Sequence, residues 1–319
     1  MFSSPRVTER GHVGEVAQIM KSVMAGQQIS FIDKIKANYE IYKCFDKGVF
    51  GDPRDVVCHY EKICSIIDNH LPEFSGKILE IGCGQLAIYS CLLANQRNYQ
   101  VHALDIEQPT FDLNILKTIQ IAKQHGVDRA IKSFIRSKLF DKKTINGVER
   151  LLNTCLDYSK LQIRITSACN TGYEDNKFGF IFSNDVFEHI DDISQATNEI
   201  YRILSPSGVA WITVHLFHSL SGGHRLEWMD ADKKPSNKVP PWDHLRNNEF
   251  KVNTYLNKEP ISRYRELFSS QFEILSEVVV QEGLLLEHQL VFEELLSKGY
   301  THEELTSKTI SFVLRKRNK

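Results

Sequence analysis

Short, nearly solid apolar runs punctuate this chain. They stand at 77–81, Val101–Leu104, Phe178–Phe182 and Val209–Val214. Runs of this length, rich in Ile, Val and Phe, predict strands covered on both faces, as in a mostly parallel sheet. Ile163-Arg164-Ile165 predicts a shorter strand. Two more are predicted at 272–280 and 309–315, around a helix at 290–298. Between the runs, apolar residues recur at helical spacing, which predicts helices over 86–94 and 187–204. Ser205-Pro206-Ser207-Gly208 closes the second of these. Strands alternating with helices predict an α/β fold with a doubly wound sheet.

The same pattern divides the chain. Residues 13–24, 31–44 and 55–70 have helical spacing and few strand signals, so 1–70 reads as an N-terminal helical cap. Leu71-Pro72-Glu73-Phe74-Ser75-Gly76 breaks the pattern, and the α/β domain is expected over 71–319. The stretch 108–160 is longer than a crossover needs. Leu113, Leu116, Ile119 and Ile121, then Val148–Leu156, make it a helical insertion. Residues 215–250 read as a loop, with Gly222, Gly223, Trp242 and Arg246 expected to form a pocket wall and an anion contact.

Composition narrows the classes. Apolar residues make up 42% and charged residues 25%, with a net charge of −1. A dedicated nucleic-acid binder carries a basic excess, so no nucleic-acid partner is expected. The seven cysteines show no C-x-x-C pair, which argues against structural zinc and a disulfide framework. With no run of membrane-span length and no signal-peptide core, the reading is cytoplasmic.

The chemistry begins at 77–85, Lys-Ile-Leu-Glu-Ile-Gly-Cys-Gly-Gln. A strand that ends in a glycine turn and opens into a helix brings backbone close to a nucleotide. Asp105 ends the next strand, 21 residues beyond Gly84, where a carboxylate reaches ribose hydroxyls. Ala87 at the third glycine place is tolerated by dinucleotide oxidoreductases, so the motif alone leaves an NAD(P)-dependent enzyme open.

Glu80, two residues before Gly82, resembles the acid of class I S-adenosylmethionine-dependent methyltransferases, although Leu86 stands where that family has a third glycine. Phe180–Ile190, with Glu188-His189, resembles the family's fourth motif. Ile203–Ile212 resembles its leucine-proline-glycine-glycine turn, with Ser207 for one glycine. The resemblance covers roughly 77–215 and the terminal hairpin. It implies a Rossmann-like sheet with a C-terminal antiparallel strand and S-adenosyl-L-methionine as cofactor. It implies cofactor contacts from Glu80 near the methionine ammonium and from Gly82, Cys83 and Gly84. Asp105 would take the ribose, Ile106 the adenine face, and Asn184 would also line the site. The expected acceptor is an oxygen or nitrogen of a small molecule or biosynthetic intermediate, including glycan or lipid-linked precursors. The rivals are an oxidoreductase and a non-catalytic scaffold of the same fold.

Methyl transfer from a sulfonium needs alignment above all, and a base for some acceptors. His215, His218, His224 and His244 follow the fifth predicted parallel strand, with His189 nearby. His189, His215 and His224 are the candidate catalytic residues. Asp185, Glu188 and His189, on one face if helical, also resemble the E-x-x-E-H ligands of metal-dependent methyltransferases, with His215 or His218 to complete the set. Metal use is left open.

Overall fold

The computed structural model describes residues 52–111, 113, 115–137, 141–225, 227–229, 238–252, 254–282 and 288–317. Most of the expected N-terminal cap lies outside these residues. The chain divides into two compact units, 1–52 with 113–144, and 53–112 with 145–319.

The larger unit opens with α1 (Pro53–His70) and continues as β1 (Lys77–Ile81), α2 (Ile88–Gln96) and β2 (Gln100–Asp105). In the smaller unit, α3 (Ile115–His125) and α4 (Val127–Arg136) follow Leu113. Leu113, Ile121 and Ala130 form its small core, with Ala122 and Phe134 beside them. Helix α5 (Lys142–Leu151) straddles the division. Then come β3 (Gln162–Ile165), β4 (Phe178–Asn184), α6 (Ile193–Ile203), β5 (Leu204–His215), α7 (Ile261–Gln271), β6 (Phe272–Gln281), α8 (Gln289–Ser297), α9 (His302–Thr306) and β7 (Ser307–Lys316).

The seven strands form one sheet in the order β3-β2-β1-β4-β5-β7-β6. The first five pair in parallel, and β7 is antiparallel to both β5 and β6. This is the expected doubly wound sheet with an antiparallel end. The chain runs outward from β1 through β3, then returns to the other side of β1. The reversal therefore lies between β1 and β4, where such sheets bind ligands at the strands' carboxyl ends.

Strand period two sorts the core. Leu79, Ile81, Ile181, Ala210, Ile212 and Val214 face α6 and α7. Ile78, Val101, Phe180, Phe182 and Trp211 face α1 and α2. Both layers are apolar, which is why these strands read as solid runs. Val56, Tyr60, Ile63 and Ile67 of α1 sit in the second layer, so α1 belongs to the sheet unit and not to a separate cap.

Two helix boundaries differ from the reading. Ala87 takes a left-handed φ of 44°, and α2 begins at Ile88. The expected helix over 187–204 is split. Phe187–His189 is a single 3₁₀ turn, and α6 starts after Asp192, whose carboxylate accepts from the Gln195 amide at 2.8 Å. The loop 215–250 builds its own core: Leu220, Trp228, Val239 and Trp242 pack with Phe292, Leu295 and Leu305.

Trp211 lies in the middle of the sheet, under His59. Replacing it by alanine is expected to destabilise the larger unit by about 3–5 kcal/mol. Urea unfolding of Trp211→Ala checks this.

Candidate active site

The glycine turn is fixed by two neighbours. The Gly82 and Cys83 amides donate to the Leu104 carbonyl at 2.8 and 3.1 Å. Gly82 has a φ of 74°, and a Cβ there would lie 2.2 Å from Val186 Cγ2. Only glycine lets the loop after β4 lie against the loop after β1. Gly84, with a φ of 63°, is the opposite case, for nothing lies within 4 Å of the place a Cβ would take. That space is open for a ligand.

Asp105 borders the same space. Its carboxylate accepts from the Gly84 amide at 2.8 Å and the Glu107 amide at 2.9 Å. Each oxygen keeps a lone pair for a further donor. Burial raises its pKa, against these amides. Ile106 beside it is 76% exposed, an apolar surface with no protein partner layer over it. An open space over a backbone turn, a carboxylate with spare acceptors and a bare apolar face fit the ribose and adenine of a nucleoside.

Two expected contacts look different in three dimensions. Glu80 is buried, and one of its oxygens accepts from both the amide and the hydroxyl of Ser90 in α2. Burial pushes its pKa up to about 7. The acid ties the turn to the helix that follows it. Cys83 packs with Ala87 and Ala103 below the turn, so it offers its backbone and not its thiol. Leu86 turns into the layer around α1 and α2, clear of the turn. Asn184 ends β4, next to Asp185, whose φ of 53° bends the chain into the 3₁₀ turn.

That turn carries Glu188 and His189. Asn257 clamps it: its side-chain amide donates to the Phe187 and Ile190 carbonyls at 2.7 and 2.9 Å, and its own amide donates to the Glu188 carbonyl at 2.9 Å. Tyr264 in turn donates to the Asn257 carbonyl oxygen. Nothing in the sequence pattern singles out Asn257. His189 Nδ1 lies 2.9 Å from the Tyr255 carbonyl. A carbonyl only accepts, so Nδ1 carries the proton and Nε2 presents a lone pair.

The histidines separate into two groups. The His189, His224 and His215 rings stand in succession, 5.0 and 4.7 Å apart. His215, on β5, is buried; its Nε2 donates to Ser221 Oγ at 2.8 Å, and that hydroxyl donates to Glu282. Burial holds His224 near a pKa of about 4, and it keeps a left-handed φ of 53°. His244 instead bonds the Phe217 carbonyl, and His218 packs beside Phe217 and Tyr300. Both serve the loop. Gly223 is needed because a Cβ there would touch the His244 ring at 2.6 Å. Trp242 is fully buried, and Arg246 pairs with Glu294 at 2.7 Å, so neither forms the expected wall or anion contact.

Asp185, Glu188 and His189 do not share a helix face. Among the described residues, the carboxylate and imidazole atoms that converge are those of Glu188, His189 and His224, all within 4.8 Å of one another. Burial, and then the charge of Asp185, pushes the Glu188 carboxyl well up. A cavity of about 1150 Å³ opens beside Lys77, Gly179 and Arg315. It lies at the amino ends of the parallel strands, the wrong edge for this chemistry.

The family described as Methyltransferase domain matches residues 79–212. The matched residues run from β1 to β5, the parallel part of the sheet that carries the glycine turn and the Glu188 turn. Within the chain, 57 residues are 37% identical to phosphoethanolamine N-methyltransferase 2 of Caenorhabditis elegans, covering 18% of this chain and 13% of that protein. The Haemonchus contortus phosphoethanolamine N-methyltransferase 2 structure aligns at a TM-score of 0.43 and 16% identity, over 81% of this chain and 53% of that one. A putative sarcosine dimethylglycine methyltransferase from Galdieria sulphuraria aligns at 0.46 and 13%, over 81% and 85%. No described helix is long and apolar enough to cross a membrane.

Two tests follow. Gly82→Ala is expected to cost about 2–3 kcal/mol in thermal unfolding, from the clash with Val186. Gly84→Ala costs about 1 kcal/mol and acts mainly on affinity for S-adenosylhomocysteine, because its methyl group enters the open space. The second test concerns Glu80. The unfolded chain loses this proton near 4.5 and the folded chain near 7, so stability is intact below 4.5 and falls as pH rises through 7. Between pH 5 and 8 the loss from this group is about 2–3 kcal/mol. Glu80→Gln is expected to lack that decline when urea unfolding is compared at the two pH values.

Proposed function

We propose that the protein transfers a methyl group from S-adenosylmethionine to an oxygen or nitrogen of a small molecule, in the cytosol. One observation carries the reading. Val186, between Asp185 and Glu188, packs on Gly82, so the nucleoside space and the histidine cluster meet at one contact. Asp105 takes the ribose hydroxyls, Ile106 covers the adenine, and the Gly82–Gly84 backbone passes the methionine end. Glu188 and the ring of His189, His224 and His215 line the acceptor side. The acceptor's proton leaves through that cluster.

The partly exposed His189, its tautomer fixed by Tyr255, faces the acceptor most directly. His215 is engaged through Ser221 and orients the cluster. The short identity to an enzyme of phosphoethanolamine supports a small polar acceptor. The described cysteines are all free, as a reducing compartment requires.

Calorimetry with S-adenosylhomocysteine is expected to give saturable binding that Asp105→Ala weakens at least about ten-fold, the loss of charge-assisted hydrogen bonds. His189→Ala leaves that binding intact and lowers transfer of a labelled methyl to a metabolite pool by about 10²–10⁴. Binding of NADH alone would overturn the reading.

A further inference from the structure

Glu188 is only 2% exposed, yet neither of its carboxylate oxygens makes a well-formed hydrogen bond. Buried carboxylates are paired, protonated or bound to a cation. The groups that face it do not pair with it. His189 Nε2 is 3.9 Å away, and its ring proton sits on the other nitrogen, spent on the Tyr255 carbonyl. His224 Nε2 is buried and also lacks a partner. Ligand atoms thus converge within 4.8 Å, and apart from the nearby backbone amides of Glu188 and His215 no donor comes to meet the carboxylate. Such a set is matched by a cation.

We infer that Glu188, His189 and His224 hold a divalent transition-metal ion. Two imidazoles and one carboxylate with open positions suit ions such as Mn²⁺, Fe²⁺, Co²⁺ or Zn²⁺. The bond from His189 Nδ1–H to a backbone carbonyl is the outer contact that fixes the tautomer of a ligating histidine. The clamp by Asn257 holds the turn that presents two of the three ligands. Ligand bonds of about 2.0–2.2 Å place ligand atoms about 3–3.5 Å apart, a small side-chain rotation from the separation seen. The left-handed backbone of His224 is the strained conformation that sets functional residues apart.

The role of the ion rests on the proposed methyl transfer and narrows its acceptor to a hydroxyl. With the ion bound, coordination would lower the pKa of that hydroxyl, and its proton would go to solvent in place of the route through His189 and His224, whose ring nitrogens then hold the ion. The oxygen then forms a bond to the methyl carbon as the carbon–sulfur bond breaks. The sulfur keeps the electron pair and leaves as S-adenosylhomocysteine.

The full chain, stripped with chelator, is titrated with MnCl₂ and with ZnCl₂ by calorimetry, and with CoCl₂ by visible absorption. One equivalent is expected to bind, and Co²⁺ is expected to develop ligand-field bands. Glu188→Gln and His224→Asn, the latter chosen because Asn tolerates the left-handed backbone, each weaken binding at least ten-fold. Both variants keep S-adenosylhomocysteine affinity within two-fold, which reports an intact fold. Absence of saturable binding, or binding that both variants retain, would overturn the metal site. If the metal site fails while S-adenosylhomocysteine binds, the methyl-transfer reading stands without it. If the ion binds and S-adenosylhomocysteine does not, the site stands and that reading falls.

Discussion

Everything at this site depends on one close approach, that of Val186 to the backbone of Gly82. The two loops leave adjacent parallel strands at the point where strand order reverses, and nothing but a hydrogen at Gly82 lets them touch. Because they touch, the turn beside Asp105 and the turn that carries Glu188 and His189 keep a fixed relation. An in-line displacement depends on that relation more than on any single acid or base. The left-handed residues on both sides of the contact, Ala87 and Asp185, are the bends that bring the two loops to it.

Around the contact, polar groups divide between scaffolding and chemistry. Glu80, Asn257, Ser221 and Glu282 spend their hydrogen bonds on the protein. Asp105 is shared, its carboxylate holding the turn in shape while keeping acceptors free. Glu188 and His224 are left over. A fold that satisfies its other acids so fully around this turn makes the bare Glu188 carboxylate the exception in need of a ligand.

Much of the fold was legible in the sequence because the sheet is buried on both faces. Phe180–Phe182 and Val209–Val214 read as strands for that reason alone, and their parallel arrangement followed from the alternation with helices. The break at Ile190–Asp192 was hidden, since Phe187 and Ile190 continue the helical spacing of α6 while the Asp192 cap restarts it. The nucleotide turn was legible because its residues are contiguous. The acceptor side was legible only as a histidine enrichment. Which histidines meet is decided by contacts such as His189 with Tyr255, Arg246 with Glu294 and Trp242 with Phe292, which join distant parts of the chain. Glu80, expected near the methionine ammonium, instead bonds Ser90, for that contact is made by the packed helix and cannot be read from the turn.

The clamp at Asn257 has an evolutionary consequence. The segment between His215 and Asn257 is anchored at both ends, by β5 and by the turn that carries Glu188. Lengthening a loop with fixed ends costs little, since closure entropy grows only with the logarithm of its length. Outside His224 and the residues packed in its own core, the segment can therefore change length while the turn keeps its shape. Variation in length there leaves the geometry of the Glu188 turn untouched.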